Sequence, residues 1–279
     1  MQKIISCSMC NGKEFIKIRY NNHLNKLKPK IKYLFQKNIF SNKKIIVCKK
    51  CGYGNTYIDK AKLDDYYKSL YWNLRSEETE NYNGYKTHGR GIYQLKYVIN
   101  KIKSPKKILE IGGGFCDFSL LLRDKNQDLK IYSDELSSNF KNYYYRNNIE
   151  LYQKGQSGFD HIHLSHVLEH INNPQNYLNN LFSLLKNNGS IYVEVPNTNK
   201  DYYDLNFIDE PHVNFFNKPA FQYLLKKNNF NRSEIEIFGP SWDKLYNFDL
   251  GVQSFSDFYK HDFDNKNNNG CLIRLLIYK

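Results

Sequence analysis

The run Lys106-Lys107-Ile108-Leu109-Glu110-Ile111 passes directly into Gly112-Gly113-Gly114, and Phe115 to Arg123 then follows with helical spacing. A strand that ends on a glycine turn and re-enters a helix is the opening unit of a parallel α/β sheet. The same alternation continues along the chain. Leu129–Ser133 reads as a strand, 136–146 as a polar and aromatic helix, and Ile149–Tyr152 and Phe159–Leu164 as strands. Tyr177 to Lys186 carries Leu178, Leu181, Leu184 and Leu185 on one helical face, with Asn187-Asn188-Gly189 as its stop. Ile191–Val195 is a strand closed by Pro196, Phe221–Lys227 a helix, and Glu234–Phe238 and Leu272–Tyr278 are strands. The last two, with no helix read between them, predict an antiparallel hairpin at one edge of a mostly parallel sheet with helices on both faces.

In such sheets a ligand lies beyond the carboxyl ends of the strands. The Gly112-Gly113-Gly114 turn is at that end, and glycine allows both close backbone approach and positive φ. The turn is not a P-loop, because G-x-x-x-x-G-K-[ST] is absent, and it lacks the third glycine of G-x-G-x-x-G. The next strand ends in Asp134-Glu135, where a carboxylate can accept both hydroxyl hydrogens of a ribose. Glu135 is the preferred residue and Asp134 the neighbouring alternative.

These residues carry a resemblance. Glu110-Ile-Gly-Gly-Gly114, the carboxylate at 135 and Phe159-Asp160 are similar to the motifs of class I S-adenosylmethionine-dependent methyltransferases. So are Val167-Leu-Glu-His-Ile-Asn-Asn-Pro174, Leu185-Lys-Asn-Asn-Gly189, Val193-Glu-Val-Pro-Asn197 and His212-Val-Asn-Phe-Phe-Asn217. The resemblance covers about 106–279. It implies a Rossmann-like seven-stranded sheet and S-adenosylmethionine as cofactor. Glu110, Gly112, Gly113 and Gly114 would lie along the methionine end, Glu135 would hold the ribose, and Asp134 and Ser165 complete the candidate cofactor set.

His166-Val-Leu-Glu169-His170 spells H-x-x-E-H, also a zinc-peptidase motif. Pro174 cuts the helix short, however, and a peptidase needs a long one. Residues i, i+3 and i+4 share a helix face, so a divalent metal on His166, Glu169 and His170 is one alternative; a hydrogen-bonded structural role for His170 is another. Methyl transfer to a hydroxyl needs orientation and a base, and histidine has a suitable pKa. His166 follows the fourth strand and His212 faces it across the mouth, so either is a candidate base. Sugar C-methyltransferases of similar pattern carry Tyr-x-Glu-His where this chain has Asp209-Glu210-Pro211-His212. The histidine matches and the tyrosine and glutamate do not, which favours oxygen over carbon as the acceptor. Tyr71, Tyr85 and His88 are candidates for closing over the site.

Upstream, Cys7-x-x-Cys10 and Cys48-x-x-Cys51 can place four thiolates around one tetrahedral zinc. Residues 11–47 between the pairs exceed the usual spacing of roughly 15–20, and 21–42 reads as an enlarged Lys/Asn-rich insert. Four cysteine ligands leave no position for water, so the expected zinc is structural. Cys116 and Cys271 read as free buried thiols. The chain thus divides into a zinc ribbon (1–60), a helical linker and flap (61–103, with 73–88 polar) and a methyltransferase domain (104–279). The ribbon is similar to the module preceding such domains in sugar-modifying methyltransferases of polysaccharide and natural-product pathways.

The net charge of +13 admits a nucleic-acid partner. Lysine is interleaved with asparagine, isoleucine and tyrosine, all of which have A/T-rich codons, so a solvated surface explains it more simply. An Asn/Asp-Pro-Pro-aromatic turn, which stacks a flipped base, is replaced by Ser165-His166-Val167. The expected reaction is methylation of a sugar hydroxyl on a nucleotide-sugar or glycan precursor. The alternatives are C- or N-methylation of a small molecule, RNA methylation through the basic ribbon, and a degenerate binding domain. No segment reaches the ~18 apolar residues of a membrane span, no signal peptide is read at the N-terminus, and a cytoplasmic location is expected.

Overall fold

The computed structural model describes residues 6–19, 44–71, 82, 84–86, 89–204, 212–249, 263 and 265–279. The insert at 21–42, most of the flap at 73–88 including His88, and Asp209-Glu210-Pro211 lie outside the described residues.

Seven strands form the main sheet: β4 (Lys107–Ile111), β5 (Lys130–Asp134), β6 (Ile149–Leu151), β7 (Phe159–Ser165), β8 (Leu185–Pro196), β10 (Ser233–Ser241) and β11 (Gly270–Tyr278). Their order is β10-β11-β8-β7-β4-β5-β6. The five from β8 to β6 are parallel, and β11 runs antiparallel to both neighbours. This is a Rossmann-like sheet with helices on both faces. The expected antiparallel pair of the last two strands is present at one edge of the sheet, with β10 outermost and β11 between β10 and β8. A helix, Trp242–Asp249, also lies between them in sequence. Burial decides which of the two is the inner strand: every residue from Gly270 to Ile277 is buried, and a run covered on both faces belongs inside a sheet.

The helices that flank the sheet are α2 (Gly89–Val98), α3 (Asp117–Lys125), α4 (Lys141–Arg146), α5 (Pro174–Leu184) and α7 (Lys218–Lys227), with α1 (Lys60–Asp65) and α6 (Lys200–Asp204) between sheet and ribbon. Alternate residues of β4 show how the layers form. Leu109 and Ile111 join the core under α5 and α7, while Ile108 packs with Phe118, Leu122 and Val98 on the α2–α3 side. Local chemistry sets the helix starts. Asn173 and Asn217 cap α5 and α7 by accepting from the backbone N–H of Asn176 and Ala220, each with proline in the first turn. α5 starts three residues before the predicted Tyr177 because of that cap. It ends at Leu184, where Leu185 is already extended. The predicted helix over 136–146 is a 3₁₀ turn at Ser138–Phe140 followed by α4.

The N-terminal strands β1 (Phe15–Arg19), β2 (Lys44–Cys48) and β3 (Gly54–Asn55) build a second, antiparallel sheet, whose fourth strand β9 (Asn214–Phe215) comes from the far end of the sequence. Gly54 pairs with Phe215 and Asn55 with Asn214. The same packing extends the main core through Phe216 and Phe221 to Cys7, Met9 and Tyr53. Among the described residues no helix is long and apolar enough to cross a membrane.

Candidate active site

The carboxyl ends of β4, β5, β7 and β8 open on one edge of the sheet. Past β4, Gly112 (φ +59°) and Gly114 (φ +51°) take left-handed conformations. A Cβ on Gly112 would lie 2.7 Å from Val167 Cγ2, so a side chain there is excluded by space as well as by backbone. The chain then turns into α3 through Cys116, itself left-handed. Past β5, the Glu135 carboxylate accepts hydrogen bonds from Gly114 N–H (3.1 Å) and Ser137 N–H (2.9 Å). The carboxylate is thereby locked over the glycine turn and remains half-buried. Asp134 lies beside it, its pKa raised by burial. Glu110 is different: it is buried beneath the turn and accepts from the Ser119 hydroxyl. Burial pushes its pKa up to about 8, and the Asp117 charge adds to that shift.

Past β7 the backbone is again left-handed, at His166 (φ +54°). The His166 ring stands between two carboxylates, with Nδ1 3.3 Å from Glu169 and Nε2 3.5 Å from Glu194. Burial and the Arg90 charge lower its pKa, but the two carboxylates outweigh them and the net shift is upward. Glu194, in β8, is fully buried. It accepts from Tyr93 (2.6 Å), Tyr192 (2.6 Å), Gln94 (3.1 Å) and Ser165 (3.4 Å). Burial would raise its pKa, yet His166, Arg90 and the Tyr192 hydroxyl hold it down at about 2. At neutral pH it is therefore an anion whose lone pairs are met by donors.

The short turn Leu168–His170 carries Glu169 and His170 inward. His170 Nδ1 is 2.7 Å from the Tyr67 hydroxyl, and its ring lies 4.9 Å from that of His212. Tyr67 belongs to a π-helical turn (Tyr66–Leu70) continuing α1, and packs on Tyr66 and Tyr71. Val213 N–H donates to the Glu169 carbonyl (2.9 Å). The Asn214 amide donates to the carbonyls of Leu168 (3.1 Å) and Ile171 (2.7 Å), and its oxygen accepts from Tyr53 (2.5 Å). Asn214 thus ties the ribbon to the turn that bears Glu169 and His170.

The four cysteines Cys7, Cys10, Cys48 and Cys51 are buried, with one Sγ from each lying within 4.8 Å of the others. Cys7 and Cys51 sulfurs are 3.6 Å apart, and those of Cys10 and Cys48 3.5 Å. Both C-x-x-C turns close on their own backbone, Asn11 N–H to Cys7 O and Gly52 N–H to Cys48 O. Gly12 N–H points at Cys10 Sγ (3.4 Å). Four thiols converging at this spacing, with backbone N–H to sulfur, fit a tetrahedral zinc.

A family profile described as a methyltransferase domain matches residues 91–234, just over half of the chain. The chain belongs to this methyltransferase family. It is an enzyme, and its sheet matches those of solved methyltransferases. An S-adenosylmethionine-dependent methyltransferase from Thermotoga maritima, titled a possible histamine N-methyltransferase, superposes with a TM-score of 0.52 at 14% identity, over 74% of this chain and 97% of that one. A second, from Archaeoglobus fulgidus, gives 0.52 at 16% identity, over 75% and 100%. A plantazolicin methyltransferase in complex with a monoazolic desmethylPZN analog and SAH gives 0.51 at 16% identity, over 78% and 94%. At these identities the likeness concerns the fold. No curated protein sequence matches the chain.

In this methyltransferase, Gly112, Gly113, Gly114, Asp134 and Glu135 meet at one edge, and His166, Glu169, His170 and His212 meet beside the end of β7. Ser165 faces inward, accepting from Gln94 (2.9 Å). Donor atoms of Glu169, His170 and His212 lie within 4.8 Å of one another, while His166 meets Glu169 through Nδ1 at 3.3 Å. Tyr85 bonds to Asp124 at the end of α3 (3.1 Å), away from this cluster. Glu194 and Tyr67 were not read as site residues. Glu194 had a signal: a carboxylate inside the apolar run Ile191–Val195 must be buried, and a buried charge needs partners. Tyr67 had none beyond its place in an aromatic-rich helix.

Proposed function

We propose that the chain transfers the methyl group of S-adenosylmethionine to a hydroxyl of a small acceptor, a sugar or nucleotide-linked sugar, with His166 as the general base. The observation that carries this reading is the meeting at one sheet edge of the Glu135-capped glycine turn and a carboxylate-backed histidine. The side chain of His166 is 23% exposed, whereas His170 and His212 are buried; an acceptor entering the mouth can reach His166. S-adenosylmethionine, when bound, supplies an electrophilic sulfonium methyl. The residues of the chain do the rest. Gly112 and Gly114 leave room for close approach, and Glu135 offers a carboxylate to ribose hydroxyls. His166 accepts the hydroxyl proton at Nδ1 as the oxygen–methyl bond forms, while Nε2 stays turned to Glu194 and the Glu169 carboxylate stabilises the imidazolium. The sugar assignment is supported by the likeness of the cysteine ribbon and its placement to sugar-modifying enzymes. The four cysteines are proposed to hold a structural zinc.

Incubating the enzyme with methyl-labelled S-adenosylmethionine and a panel of nucleotide-sugars, glycans, small amines and RNA should put label on a sugar oxygen. Label on RNA or on an amine alone would overturn the acceptor class. His166→Ala should lower kcat roughly a hundredfold, within the usual range for a lost acid–base group, without changing cofactor affinity. Glu135→Ala should weaken S-adenosylmethionine binding by about tenfold or more in calorimetry, since hydrogen bonding to a charged group is worth roughly 1.5–3 kcal/mol. Unchanged affinity would remove Glu135 from the ribose.

A further inference from the structure

We infer that Glu169, His170 and His212 form a second metal site, for a divalent first-row cation, separate from the four cysteines. One donor atom from each of the three lies within 4.8 Å of the others, and all three residues are buried. Two imidazoles and one carboxylate are a donor set for Zn²⁺, Fe²⁺ or Mn²⁺ rather than for Ca²⁺, which takes oxygen ligands.

The state of each ligand supports the assignment. Glu169 is 1% exposed, and neither of its carboxylate oxygens accepts a hydrogen bond. Its charged neighbours are the imidazoles of His166 at 3.3 Å and His170 at 3.9 Å. A carboxylate taken out of water with its lone pairs unmet is unfavourable, and a cation meets that need. His170 is already oriented: Nδ1 faces the Tyr67 hydroxyl at 2.7 Å, which leaves Nε2 on the Glu169 side. Metal-bound histidines use their second ring nitrogen in this way, and the outer partner fixes tautomer and ring angle. His212 is held by its neighbour in sequence, since Val213 N–H binds the Glu169 carbonyl. The ligand from β9's approach and the two from the Leu168–His170 turn therefore move as one piece.

Three protein ligands leave positions for water or for a substrate oxygen. A cation here sits one residue's breadth from His166. Its use in catalysis, to bind and acidify the acceptor hydroxyl, rests on the methyl-transfer reading above; the binding itself does not.

Mn²⁺ tests this, because it prefers nitrogen and oxygen to thiolate and so avoids the cysteine site. The full-length protein, freed of loosely bound ions on a chelating resin and checked to retain its cysteine-bound zinc, is titrated with Mn²⁺, with free ion followed by electron paramagnetic resonance. We expect one saturable equivalent per chain, weakened at least tenfold by Glu169→Gln and by His212→Asn and unaffected by Glu135→Ala. Circular dichroism and thermal unfolding of the same variants check that they are folded. If either variant fails that check, the wild-type protein decides: Mn²⁺ should broaden the ring signals of His170 and His212 first and most strongly, and that of His161, back along β7, less. Absence of saturable Mn²⁺, equal affinity in the folded variants, or no selective broadening overturns the site. A failed methyl-transfer assay would leave the Mn²⁺ result standing.

Discussion

Replacing Cys48 and Cys51 together by serine should remove about one zinc per chain, lower the melting temperature and abolish methyl transfer. Zinc held by four cysteines contributes on the order of 10–16 kcal/mol of apparent binding free energy at neutral pH in small domains. A whole domain is stable by only about 5–15 kcal/mol, so the ribbon has no second source of comparable size. Its own sheet is short, with β3 spanning Gly54–Asn55 alone. The reach of the damage follows from the pairing of β3 with β9. Tyr53, two residues after Cys51, donates to Asn214, and Asn214 binds the carbonyls that shape the Leu168–His170 turn. Loss of the ribbon should therefore disorder the turn that bears Glu169 and His170, although every cysteine is remote from it in sequence. The glycine turn is held by β4, α3 and Glu135 and meets the damaged turn at Val167, so S-adenosylmethionine binding should survive better than turnover. Metal analysis, calorimetry and the label-transfer assay on one preparation separate these effects. Purified protein without zinc, or a double mutant that melts and turns over like wild type, would sink the idea.

The order of these elements along the chain was legible because strands buried on both faces are written as apolar runs. Ile108, Leu109 and Ile111, or Ile191, Val193 and Val195, can be read without any knowledge of their partners. Sheet order is harder. Whether Gly270–Tyr278 lies at an edge or inside depends on which strands arrive on either side, and those are encoded well upstream in β8 and β10. The run Cys271–Ile277, apolar but for Arg274, was the available hint. The cysteine pairs showed which residues converge, because C-x-x-C spacing is local chemistry. The fusion of the ribbon sheet to Asn214–Phe215 was not readable, since two residues of backbone pairing leave no periodicity. At the site, the glycine turn and Glu135 were found by position after strands. The grouping of His212 with Glu169 and His170 was not, because it depends on how a loop some forty residues downstream folds back over β7.

Glu194 offers the sharpest test of how that cluster is held together. Its pKa of about 2 lies well below the ordinary 4.5, despite full burial. A depressed carboxylate stabilises the fold above its unfolded pKa and loses that contribution as pH falls through its folded pKa. The window is therefore from about pH 4.5 down to about pH 2, and the contribution above it is roughly 3 kcal/mol, counted once for the coupled Glu194–His166 pair. Glu194→Gln keeps the shape and an acceptor oxygen but removes the charge. It should cost roughly that amount in urea unfolding at pH 7, and the difference from wild type should shrink toward zero as pH approaches 2. Other carboxylates titrate in the same range, but they do so in both proteins, so the difference isolates this one. Glu194→Ala should cost more at pH 7, about 4–5 kcal/mol. It opens a cavity and leaves the hydroxyls of Tyr93 and Tyr192 and the Gln94 amide without their acceptor, at about 1–3 kcal/mol for each buried group left unmet. A gap between wild type and Glu194→Gln that stays constant from pH 7 to pH 3 would mean that the donors, and not the charge, hold His166 in place.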